Sequence, residues 1–114
     1  MDGYIRWVHS TWAVLADPNR RELLELLRDS PRPVGELVRR TGLSQPGTSK
    51  HLRVLRDAGL VVARTEAQQR IYSLDPRPLA ELDAWLGPYR RMWERSLDAL
   101  ERHLDSTSTP TKEQ

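Results

Sequence analysis

The four residues Thr41-Gly42-Leu43-Ser44 constrain this chain more than any other feature, because they separate two runs of helical periodicity. Before them, Val34, Leu37 and Val38 mark a short helix, and Gly42 stands where a helix end calls for a left-handed backbone. After them, Ser44 is positioned as the N-cap of a second helix in which Thr48, Leu52, Leu55 and Gly59 form one core-facing line. So short a connection makes the pair a helix-turn-helix.

The first turn of the second helix, Ser44-Gln45-Pro46-Gly47-Thr48-Ser49-Lys50, is poor in helix formers and offers little to a core. Stepping 100° per residue places Pro46, Lys50, Arg53 and Asp57 opposite the core line, with Ser49 and Arg56 beside them. Hydroxyls, an amide, free backbone N–H groups and positive charge with little bulk are what a DNA major groove accepts. Ser44 reads as a cap before it reads as a base contact, and Gly47 reads either as close backbone approach or as a tolerated surface glycine. From Arg39 to Arg70 the chain carries seven basic residues against the acids Asp57 and Glu66, although the whole chain is only +2. Such a segment is the footprint of a surface that meets phosphates.

The remaining elements fall around this centre. Tyr4, Ile5, Val8, Trp12 and Leu15 predict a first helix from Ile5 to Ala16, and Asp17-Pro18 caps a second one carrying Leu23, Leu24 and Leu27 and ending near Arg28. Ser30-Pro31-Arg32-Pro33 reads as a proline-punctuated connection. Val61 to Thr65 and Arg70 to Leu74 predict a β-hairpin flanked at its tip by Arg64 and Arg70. A last helix from near Arg77 to Leu104 carries Leu79, Leu82, Leu86, Tyr89, Trp93, Leu97, Leu100 and Leu104 at heptad-like steps, with a kink or break expected at Gly87-Pro88. The expected fold is mainly α with a small β-hairpin, in the order α-α-α-α-β-β-α. One domain spans residues 1–104, and 105–114 form a polar tail expected to be disordered.

Composition removes several function classes. With no cysteine there is no disulfide or thiolate chemistry, and no apolar run is long enough to span a membrane, so a cytoplasmic protein is expected. The chain has no Ser/His/Asp order, no glycine-rich phosphate loop and no paired carboxylates, which argues against an enzyme. His9, His51 and His103 are scattered, and His51 beside Leu52 reads as a packed structural residue. Hydrophobic residues make up 38% of the chain, low enough that a second copy completing the core is a reasonable expectation.

"VLADPNRRELLELL", "PVGELVRRTGLSQPGTSKHLRVLRDAGLV" and "RTEAQQRIYSL", in this order and spacing, resemble the ArsR-type winged helix-turn-helix repressors from about Trp12 to Leu74. The resemblance implies a homodimeric transcriptional repressor on double-stranded DNA, reading an inverted repeat. It implies DNA contacts at Ser44, Gln45, Ser49, Lys50 and Arg53 on the recognition helix and at Arg64 and Arg70 on the wing. It also implies a dimer interface on the first and last helices, where Trp7, Trp12, Tyr89, Trp93, Leu97 and Leu100 lie. The thiolate positions of metal-sensing members are Pro33 and Gly35 here, so no metal and no cofactor are expected. Other readings are an interaction module without DNA, a metal site combining His103 and Asp105 with a second subunit, and an effector pocket lined by the tryptophans. The basic face of Lys50 and Arg53 argues against the first.

Overall fold

The structure, a computed structural model, describes the backbone of residues 10–112 and side chains as far as residue 107. Residues 10–15 are helical (α1), followed by α2 (Pro18–Asp29), β1 (Arg32–Pro33), α3 (Val34–Thr41), α4 (Gln45–Asp57), β2 (Val61–Glu66), β3 (Gln69–Leu74) and α5 (Arg77–Lys112). The chain divides into two units, Met1–Leu82 and Asp83–Gln114. Most of the expected first helix, with Trp7 and His9, lies outside the described residues.

Within the first unit, the core is assembled from the apolar stripes of the short helices. Leu23 and Leu27 of α2, Leu37 of α3, Leu52 and Leu55 of α4, and Leu60, Val61 and Tyr72 of the sheet region are all buried. Full burial of each leucine contributes roughly 1.5–3 kcal/mol, so these few side chains set how the helices pack. Thr48 is also fully buried, and its hydroxyl donates to the Ser44 carbonyl at 2.9 Å, so the polar group on the core line is satisfied.

Helix ends follow local chemistry. The Asp17 carboxylate accepts from the Asn19 N–H at 2.8 Å, and that bond holds the Asp17 carboxyl below its ordinary value. Gly42 ends α3 at φ 75°. Gly59 ends α4 at φ 79°, with Leu60 N–H on the Leu55 carbonyl and Gly59 N–H on the Arg56 carbonyl, the paired bonds of a Schellman turn.

Three differences from the sequence reading have physical causes. Arg32–Pro33 is a strand, pairing antiparallel with Tyr72 and Ile71, so the sheet has three strands in the order β1-β3-β2. Proline is tolerated there because β1 is an edge strand. The helix α5 is continuous through Gly87-Pro88. Gly87 has no Cβ to meet the proline ring, and Arg90 reaches back to both the carboxylate and the carbonyl of Asp83, tying the weakened turn. Finally, α5 runs past Leu104 to Lys112, with the Thr107 hydroxyl bonded to the His103 and Leu104 carbonyls at 3.1 and 3.0 Å. Among the described residues no helix is long and apolar enough to cross a membrane.

Candidate nucleic-acid interface

The site is built on α4. Ser44, in extended conformation, accepts the Gly47 N–H at 3.1 Å, which fixes the first turn. With Thr48, Leu52 and Leu55 turned into the core, Gln45, Ser49, Lys50 and Arg53 stand exposed on the other side. Behind the helix, the Arg20 Nε–H donates to His51 Nδ1 at 3.3 Å, and Arg20 also contacts the Val14 carbonyl. His51 is therefore a half-buried, hydrogen-bonded structural residue, as its place beside Leu52 suggested.

Opposite α4 stands the hairpin of β2 and β3. Ala67 and Gln68 make a two-residue turn with φ of 50° and 69°, the signs of a type I′ turn. The ladder pairs Arg64 with Ile71 and Thr65 with Arg70, so successive pairs face opposite sides of the sheet. Arg70 shares the face of Tyr72 and lies over its ring, 5.6 Å from the centroid. Arg64 is on the other face, bonded to Glu66 at 3.0 Å and to the Ser73 hydroxyl at 3.4 Å.

Between helix and hairpin is a cleft of about 530 Å³. Of the sequence-predicted contacts it brings together Gln45, Ser49, Arg53 and Arg70, whereas Ser44, Lys50 and Arg64 lie outside its lining. It adds Arg39, Arg56, Gln68 and Gln69, which were not among those contacts. Arg39 and Arg56 were visible in the charge count, but only the crossing of α3 and α4 shows that they converge.

The positive charges around the cleft outnumber its single acid, Glu36. Elsewhere in the first unit, the described arginines find acceptors: Arg21 on the Leu15 and Ala16 carbonyls, Arg32 and Arg40 on Glu36, Arg64 on Glu66, Arg77 on Asp75. Arg39, Lys50, Arg53 and Arg56 form no ion pair among the described residues. The one acid of the cleft lining, Glu36, is engaged by Arg32 and Arg40, and the Arg32 hydrogen bond holds its carboxyl below the ordinary value. What remains is a positive, hydrogen-bonding surface of the kind that receives phosphate.

The described residues contain no group of three His, Asp or Glu side chains placed to hold a metal ion.

Residues 17–62 match the family described as bacterial regulatory protein, arsR family. The HTH-type transcriptional regulator Rv2034 of Mycobacterium tuberculosis is 41% identical over 100 residues, covering 88% of this chain and 91% of that one. A probable mercury resistance operon repressor of Streptomyces lividans is 44% identical over 64 residues, 55% of this chain and 51% of that one. Among solved structures, an ArsR-like transcriptional regulator from Rhodococcus sp. RHA1 superposes with a TM-score of 0.71 at 26% identity, covering 88% of this chain and 94% of that one. Sequence match, helix-turn-helix geometry and wing agree: the chain belongs to the ArsR family of winged helix-turn-helix, DNA-binding transcriptional regulators.

Proposed function

We propose that this protein is a cytoplasmic homodimeric repressor that inserts the first turns of α4 into the major groove of an inverted-repeat operator, with the wing beside the adjoining backbone. The observation that carries this reading is the unpaired basic, small-residue face of α4 next to the hairpin. Gln45 and Ser49 offer an amide and a hydroxyl to base edges, while Lys50 and Arg53, without ion pairs among the described residues, and Arg70, lying over the Tyr72 ring, offer charge to phosphates. Ser44 adds its exposed cap to the same approach. Arg64 reaches DNA only from the far side of the hairpin, with its charge partly met by Glu66, so its share is smaller.

Dimerisation is supported by the second unit, where Tyr89, Met92, Trp93, Leu97, Leu100 and Leu104 are all exposed on α5. A contiguous apolar face of this kind is uncommon on a monomer. Trp12 on α1 is 42% exposed and is assigned to the same role; Trp7 belongs to that assignment from sequence alone. Two-fold pairing sets two recognition helices against half-sites about 10 to 11 base pairs apart. Repression follows if that operator overlaps a promoter.

Because Pro33 and Gly35 stand where a thiolate pair would be needed, the regulator works without a bound metal. Footprinting on the DNA upstream of the protein's own gene tests the reading. It should show a protected inverted repeat of that spacing; protection of a single half-site, or none, would contradict it.

A further inference from the structure

The cleft between α4 and the wing is longer than base reading requires. Arg56 lies eleven residues beyond Gln45, roughly 16 Å along the helix at 1.5 Å per residue, while a recognition helix reads bases with its amino-terminal residues. The cleft walls also include Leu52, fully buried, and Tyr72, 7% exposed, with Pro33 and Val34. A volume of about 530 Å³ lies in the range of small-molecule sites, and its lining is mostly polar and cationic with a smaller apolar part.

Resting on the DNA-binding reading, we infer that this cleft also binds a small organic oxyanion, a phosphate or carboxylate on a compact apolar body, and that its occupancy releases DNA. Arg39 and Arg56 supply guanidinium forks to the anionic head, with Arg53 and Arg70 beside them. Pro33 and Val34, both half-buried, and the exposed edge of Tyr72 supply the surface for the body. The cleft's single acid, Glu36, is paired with Arg32 and Arg40 and shares its field with Arg39, so it offsets only part of the positive charge. Several like charges around one cavity repel one another until an anion enters. Arg53, Arg70, Gln45 and Ser49 would face both ligands, so the anion and DNA compete.

Phenyl phosphate is a suitable probe, titrated calorimetrically into the full-length protein and, separately, into its complex with the upstream DNA at fixed ionic strength. Saturable binding is expected, at least tenfold tighter than inorganic phosphate, with DNA affinity falling as the site fills. Arg56→Gln and Arg39→Gln, both exposed positions, should each weaken phenyl phosphate tenfold or more while keeping the wild-type circular dichroism spectrum. Absence of saturable binding, or a loss of DNA affinity no greater than sodium chloride causes at the same ionic strength, overturns the inference and leaves the repressor reading standing. Probe binding by a protein that fails to bind the DNA would overturn the repressor reading and the competition with it.

Discussion

Ser44 and Gly47 act as one device. The serine hydroxyl accepts the glycine N–H, and a Cβ on Gly47 would sit 3.0 Å from that same oxygen. The sequence showed Ser44 as a cap, but the reason for the glycine needed the third dimension. Ser44→Ala should cost about 1 kcal/mol of stability, read as a lower urea midpoint; an unchanged midpoint would mean the cap is idle. A similar limit applied at the wing. Arg64 and Arg70 flank the same turn in sequence, yet the period of two along a strand sends them to opposite faces, and only the register against β3 decides which faces α4. Arg70→Ala should therefore weaken DNA binding several-fold more than Arg64→Ala in a titration of the upstream fragment. Equal losses would place both faces of the hairpin on the DNA.

Among the elements, the described end of α1, α2, α3, α4 and the hairpin were legible because their caps, glycines and apolar spacings are local signals. The strand Arg32–Pro33 was not, since two residues carry no periodicity and the pairing that defines them comes from β3, about forty residues on. The break expected at Gly87-Pro88 failed because the remedy, Arg90 on Asp83, lies across the weak turn. Ala67 and Gln68 hold positive φ without being glycine, an arrangement that costs energy in a type I′ turn. Ala67→Asn with Gln68→Gly should raise the melting temperature by a few degrees in calorimetry; a drop would show that these side chains support the hairpin. Arg32 joins three elements, donating to the Leu26 carbonyl at 2.9 Å and to Glu36. Since the folded Glu36 carboxyl lies below its ordinary 4.5, the stability it contributes is complete above that value and is lost as pH falls through the folded one. Glu36→Gln should thus be less stable at neutral pH and show a shallower loss below pH 4.5 than wild type in acid titrations followed by circular dichroism.

For the whole molecule, the second unit is the part whose sequence pattern points beyond one chain. Leu86, Trp93 and Leu100 stand seven residues apart, as do Leu97 and Leu104, and Leu86 and Leu97, Tyr89 and Leu100, and Trp93 and Leu104 are eleven apart, so heptad-like steps and the turn of a straight helix both keep these side chains on one stripe. Trp93→Glu puts a charge in the proposed interface, so sedimentation should show monomers and DNA affinity should collapse toward that of a single half-site. A wild-type monomer would remove the pairing from the account. The claim on which everything else depends is that the exposed face of α4 meets phosphate. It is tested most directly by measuring affinity for the upstream DNA against salt concentration, for wild type and for Lys50→Ala combined with Arg53→Ala. Each lost phosphate contact should reduce the slope of log affinity against log salt by about 0.9, so a dimer losing two contacts per chain falls by roughly 3.6. An unchanged slope and affinity in the double variant would take α4 off the DNA.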